Sequence, residues 1–193
     1  IQLIARLERK ALAYVRPSGV YFDTGAFPAY GKLARLKLDA QEAGSRIEPH
    51  PDKKGPYDFA LWKMAQPTHL MQWDSPWGKG YPGWHIECSA MSMKYLGETF
   101  DLHSGGIDHI PVHHENEIAQ SEGATGNPFV RFWLHAGFLQ TADAKMSKSS
   151  GEFLTLTRLV EKGFHPLAYR FFCFTAKYRM PLAYSEQALR GTQ

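Results

Sequence analysis

Apolar residues recur at helical spacing at the start of the chain, where Ile4, Leu7 and Leu12 fall on one side and Arg6, Glu8 and Arg9 on others, predicting an amphipathic helix. Gly19 to Asp23 then has the β-branched and aromatic content of a short strand, and Phe27 to Gly31 reads as a turn. From about Arg46 to Tyr57, proline, glycine and charge replace any sustained period, which predicts an exposed, flexible loop. Its Lys53 and Lys54 are candidates for phosphate contact, although solvation is the commoner role of such lysines. An extended apolar pattern resumes at Asp58 to Lys63, and Trp73 to Gly83, dense in Trp, Gly and Pro, predicts a rigid loop rather than a helix.

Trp84 through Leu96 carries apolar residues at helical period (Ile86, Ala90, Met93) and stops at Gly97. Thr99 to His103 then looks like a buried strand ending at a turn formed by Gly105 and Gly106. A helix over about His113 to Glu122 follows, then a strand over about Phe132 to Leu139, a polar loop, and helices near Leu156 to Lys162 and Leu167 to Ala176. This alternation favours an α/β fold with a parallel sheet, in which ligands sit at the carboxyl ends of the strands.

The 193 residues suffice for one domain, or one domain with an insertion, and a net charge of +3 permits a polyanionic partner without requiring one. No apolar run approaches the ~20 residues that span a bilayer, and no secretory signal opens the chain, so no membrane partner and a cytosolic location are expected. Cys88 and Cys173 are read as thiols rather than a disulfide. The chain begins at Ile1, within its first expected helix, which suggests a fragment.

Candidate chemistry sharpens the picture. His113 and Glu117 stand four apart on an expected helix, so they project from one face, and Cys88 lies 25 residues earlier. Imidazole, carboxylate and thiolate are all zinc ligands. Such His/Glu pairs are usually surface neighbours, however, and a lone cysteine is usually a small core residue. The Lys145 to Gly151 segment combines two lysines, Lys145 and Lys148, with three serines and a glycine, a composition that suits either polyphosphate binding or an exposed basic loop. Gly105, Gly106 and Asp108 follow an expected strand, where backbone can approach a nucleoside and an acid can bind a ribose hydroxyl or an amine; a generic glycine turn is the other reading. Trp73, Trp77 and Trp84 either wall a pocket or pack in a core.

Taken in order, Gly83-Trp84-His85-Ile86-Glu87-Cys88-Ser89-Ala90-Met91, Gly105-Gly106-Ile107-Asp108, His113-His114-Glu115-Asn116-Glu117-Ile118-Ala119-Gln120-Ser121 and Lys145-Met146-Ser147-Lys148-Ser149 resemble the cysteinyl-tRNA synthetases over nearly the whole chain. Val20 to Asp23 with Tyr30 to Leu33 resembles that family's connective insertion. The resemblance implies the second half of a class I Rossmann-like nucleotide-binding catalytic domain, with residues 1–70 as connective insertion and return segment, 71–150 as catalytic domain and 151–193 as a helical segment. It implies zinc held by Cys88, His113 and Glu117 with a further cysteine upstream, ATP as substrate with magnesium, and cysteine and tRNA(Cys) as partners. Lys148 would contact ATP with Lys145 in support, Gly105, Gly106 and Asp108 would lie at the adenosine and amino-acid site, and Trp84 beside the cysteine pocket.

The chain departs from the family pattern at Ser104-Gly105-Gly106, where three glycines are frequent, and at Pro111-Val112, where Phe-Pro is. It contains neither a His-Ile-Gly-His signature nor tRNA-reading C-terminal domains, so the isolated fragment is expected to be inactive. Two alternatives remain: a cysteine ligase acting on an aminosugar in mycothiol synthesis, and a non-catalytic, zinc-stabilised nucleic-acid-binding module.

Overall fold

A computed structural model describes residues 1–36, 50–141 and 155–193. Helix α1 (Gln2–Arg9) buries Ile4 and Leu7, as its pattern predicts, and carries Arg6 and Arg9 in its last turn, where cations complement the helix dipole. Strands β1 (Ala13–Arg16) and β2 (Gly19–Phe22) pair antiparallel, and β3 (Phe59–Met64) and β4 (Gly80–Pro82) continue an antiparallel sheet in the order β1-β2-β3-β4. All four residues of β2 are buried, because α1 and the following helices cover the sheet's apolar positions. Val20, Phe22, Leu61 and Trp62 from the sheet meet Ile4, Leu7, Ile86 and Ala119 from the helices in one core.

Helix α2 (Trp84–Leu96) ends at Gly97, whose φ of 93° lies in the region that favours glycine. Strand β5 (Phe100–Gly106) lies beside β6 (Val130–Ala136). Between them come a 3₁₀ turn (Ile107–His109), a π-helical turn (Ile110–His114) and α3 (Glu115–Thr125).

The chain forms two compact units. The first comprises residues 1–103 and 108–133. The second, residues 104–107 and 134–193, contains β7 (Leu139–Thr141) paired parallel with β8 (Leu182–Tyr184), and helices α4 (Leu156–Glu161), α5 (Pro166–Cys173) and α6 (Glu186–Arg190). Its core is Leu159, Phe164, Ala168, Phe172 and Leu189. Thr155 and Ser185 cap α4 and α6 by accepting the N–H groups of Arg158 and Ala188.

Several expectations change. The largest described sheet, β1 to β4, is antiparallel, with β1 and β2 joined as a hairpin, whereas β7 and β8 pair parallel. Strand β5 is not buried throughout: Phe100 is, but Asp101 and Leu102 are exposed, in keeping with a two-stranded ribbon. Gly105 and Gly106 are extended residues of β5 rather than a turn, and the turn follows them. Ala90 is exposed, and Ser89 takes the buried position beside Ile86. Lys54 is committed locally, 2.9 Å from the Asp23 carboxylate and above the Tyr14 ring. Both cysteines are free thiols. No helix among the described residues is long and apolar enough to cross a membrane.

Glycine substitutions separate close approach from backbone strain. A Cβ on Gly83 would lie 1.9 Å from the carbonyl oxygen of Ala60, so Gly83→Ala is expected to cost about 3 kcal/mol or more by displacing β3 from α2. Gly126 has φ of 82° and nothing within 4 Å of a Cβ, so Gly126→Ala is expected to cost only about 1–2 kcal/mol. Denaturant unfolding of both variants checks the order, and a Gly126→Ala loss equal to that of Gly83→Ala would contradict it.

Candidate metal centre

Helices α2 and α3 pack together through small and polar groups rather than an apolar seam. Ser89 and Gln120 are both fully buried, and the Gln120 side chain donates to the Ser89 hydroxyl at 2.9 Å and to the His85 carbonyl at 3.0 Å. This lock fixes the register in which Cys88, one residue from Ser89, faces the start of α3. Cys88, His113 and Glu117 each offer one ligand atom, all within 4.8 Å of one another.

The Glu117 carboxylate is completely buried. Its Oε2 lies 2.8 Å from His103 Nε2, and its Oε1 lies 2.9 Å from His113 Nε2 and 3.9 Å from His114 Nε2. Neither of the latter contacts has hydrogen-bond geometry, which leaves Oε1 a buried carboxylate oxygen without a hydrogen-bond partner. Such an atom is costly to keep dry unless a cation or proton meets it.

His85 supplies a reason for that direction. Its Nδ1 is 2.8 Å from His113 Nδ1. Burial, reinforced by His113, Lys63 and His109, depresses the His85 pKa to about 4, so His85 is neutral at pH 7. Burial also lowers the His113 pKa, overcoming the opposing pull of Glu117. In the tautomer where His113 donates its Nδ1–H to His85, the Nε2 lone pair of His113 faces Glu117 Oε1, and a cation between them satisfies both. Burial and the negative charges of Glu117 and Glu87 raise the Cys88 pKa, so the thiol keeps its proton until a cation displaces it. Thiolate, imidazole and carboxylate on one point form a donor set suited to zinc.

Sequence reasoning overlooked a second trio. His103, His114 and Glu117 also offer ligand atoms within 4.8 Å, and the His103 and His114 rings pack on Trp133 with centroids 5.0 and 4.6 Å away. The signal for His114 was its place three residues before Glu117; His103, on β5, carried none. Trp84 is 73% exposed, with its ring stacked on His85 and edge-on to His113. Asp108 is exposed in the 3₁₀ turn of the first unit, whereas Gly105 and Gly106 belong to the second. Lys145 and Lys148 lie outside the described residues.

A family model described as the tRNA synthetase class I (C) catalytic domain matches residues 1–193. The cysteine–tRNA ligase of Treponema denticola is 52% identical over 191 residues, covering 98% of this chain and 39% of that protein. That of Pyrococcus furiosus is 51% identical over 190 residues (98% and 39%), and that of Syntrophotalea carbinolica 52% over 193 residues (100% and 40%). The chain thus spans 39–40% of the length of these curated relatives.

The depressed His85 pKa carries a pH dependence with a definite sign. The unfolded chain binds a proton at His85 below about pH 6.5 while the folded one resists it to about pH 4, so stability is full above the first value and falls as pH drops toward the second. With metal chelated, unfolding free energy is expected to fall by on the order of 2 kcal/mol between pH 7 and 4.5, and by clearly less in His85→Gln. An identical pH slope in the variant would exclude His85 as the source.

Proposed function

This chain belongs to the class I tRNA synthetase family, whose catalytic-domain model spans it, and from that premise we propose that it is part of a cysteine–tRNA ligase that activates cysteine with ATP and passes it to tRNA(Cys). The observation that carries the reading is the meeting of Cys88, His113 and Glu117 around a buried carboxylate oxygen that lacks a hydrogen-bond partner. A dry carboxylate oxygen facing a thiol and an imidazole is suited to receive a cation.

In this reading Cys88 Sγ, His113 Nε2 and Glu117 Oε1 hold a zinc ion, with a further ligand from outside the chain. Zinc, when bound, supplies a Lewis acid that favours a substrate thiolate over an alcohol, which distinguishes cysteine from the nearly isosteric serine. An apolar pocket alone gains only ~1–3 kcal/mol from so small a difference. His103 fixes the carboxylate by bonding Oε2 and leaves Oε1 for the cation, while His85 fixes the tautomer and plane of His113. Trp84 forms a wall beside the amino-acid pocket.

The substrate carboxylate attacks the α-phosphorus of magnesium-bound ATP, the bond to pyrophosphate breaks, and cysteinyl-adenylate forms. A terminal ribose hydroxyl of the tRNA then loses its proton and attacks the carbonyl carbon, releasing AMP. Lys148, supported by Lys145, would neutralise charge on the phosphates as it shifts to the leaving pyrophosphate, and Gly105, Gly106 and Asp108 would bind adenosine and the amino group. Residues 1–70 then correspond to the connective insertion and return segment, 71–150 to the second half of the Rossmann-like domain, and 151–193 to the helical segment that follows it. The mycothiol-pathway alternative gains no support from the relatives, which are named as cysteine–tRNA ligases.

Pyrophosphate exchange into ATP, driven by cysteine or by serine, tests the reading in the intact protein. Cys88→Ser is expected to lower cysteine-driven exchange more than about tenfold with ATP affinity unchanged, and His103→Ala to weaken zinc binding about 10–100-fold. A Cys88→Ser protein with normal activation and normal preference over serine would overturn the metal's role. Because Cys88 must lose its proton, zinc uptake should release acid and tighten as pH rises, which calorimetry in buffers of different ionisation enthalpy measures. Lys148→Ala should slow adenylate formation about 100-fold or more while sparing cysteine binding, and equal losses in rate and cysteine affinity would argue against a phosphate role.

A further inference from the structure

A cavity in the first unit, of about 370 Å³, lies between β3, the preceding loop and the start of α2, with His85 on its wall. Tyr21, His50, Lys53, Lys63, Trp84 and His85 line it, and no carboxylate does. Lys63 stands on the exposed side of β3, and Lys53 is half-buried in the loop. Among the described residues neither lysine makes a salt bridge, in contrast to Lys32, Lys54 and Lys162.

The nearest acids are already committed. Asp58 accepts from the Tyr14 hydroxyl at 2.6 Å and, at 2.9 Å each, from the Thr24 N–H, the Thr24 hydroxyl and the Gly55 N–H. Asp52 is held by the backbone N–H and hydroxyl of Ser18. Two ammonium groups therefore share a cavity that no carboxylate lines, an arrangement that repels itself and concentrates anions. Burial pushes the Lys53 pKa down; Asp58 opposes the shift and Lys63 adds to it. The start of α2, which has no side-chain cap, lies on the same wall.

We propose that Lys53 and Lys63 form a phosphate-binding pocket beside the candidate metal centre, taking either a backbone phosphodiester of a single-stranded RNA end or the phosphates of a free nucleotide. Lysine suits this role as a mobile point charge that needs no fixed fork of donors. The inference draws on the ligase reading only for its choice of ligands.

The test is equilibrium binding of a labelled single-stranded ribo-oligonucleotide, and separately of ATP, to the intact protein over a range of salt concentrations. Wild type is compared with Lys53→Gln, Lys63→Gln, the double variant and Lys63→Arg. If RNA is the source, each Gln variant lowers the log–log salt slope by about 0.7 and the double variant by about 1.4, with ATP affinity unchanged and Lys63→Arg near wild type. If a nucleotide is the source, ATP affinity falls about tenfold per lysine while the RNA slope stays constant. Unchanged RNA slope and unchanged ATP affinity in a double variant that melts at the wild-type temperature would overturn the pocket. Cysteine-driven pyrophosphate exchange by the wild type is read in parallel. Its absence together with shifted slopes would count against the ligase reading alone, and its presence with unshifted slopes against the pocket alone.

Discussion

The first unit depends on one constraint: α3 is buried along nearly its whole length, yet its sequence is polar. Glu115, Asn116, Glu117, Gln120 and Ser121 are all buried, which would be ruinous unless neighbouring elements supplied partners. Most of them do. The Glu115 carboxylate accepts the backbone N–H groups of Gly31 and Ala34, Asn116 accepts the Tyr30 hydroxyl, and Gln120 reaches α2. Burial still raises the Glu115 pKa, the backbone donors opposing it, so the turn after Phe27 and α3 hold each other in place. On the side of α3 that faces α1, Gly123 leaves room for Leu7 and Leu12.

The same constraint organises the site. A helix locked on several sides by hydrogen bonds cannot rotate, so the direction of Glu117 is set by bonds made elsewhere on α3. The π-helical turn before it adds the second requirement. His113 and His114 stand four and three residues before Glu117, both spacings that share its face, and their imidazoles lie 2.9 and 3.9 Å from the same oxygen. Pro111 sits in the first turn of this segment, where its missing N–H removes no helical bond.

These features explain what the sequence could and could not disclose. The ends of α2 were legible because Gly83 and Gly97 bracket it, and β2 and β3 because β-branched and aromatic residues concentrate there. The proximity of Cys88, His113 and Glu117 was legible in part, through the spacing of four between the last two. Spacing could not reveal that α3 is buried: polar residues at every angle around a helix read as a solvated surface, and only their partners from distant segments make burial tolerable. His85, His103 and His114 were hidden for the same reason, since their roles arise from contacts between elements. The antiparallel pairing of β1 to β4 was not legible, because strands read locally say nothing about which become neighbours.

Stability and chemistry make opposite demands on this cluster. Replacing a buried ionic group by apolar residues of similar volume is often neutral or stabilising, so a fold optimised for stability alone has little reason to keep a dry carboxylate among three histidines and a thiol. Glu115 shows how such a group is held when its role is structural: both of its oxygens accept backbone N–H groups. Glu117, two residues on and equally buried, has one oxygen held by His103 and the other left without a hydrogen bond, directed at His113 and Cys88. One helix thus holds two carboxylates at equal burial and completes the coordination of only one, and the incomplete one is where the soft donors converge. In the proposed reading that asymmetry leaves Glu117 Oε1 free to receive a cation, where the Glu115 oxygens are already taken by backbone.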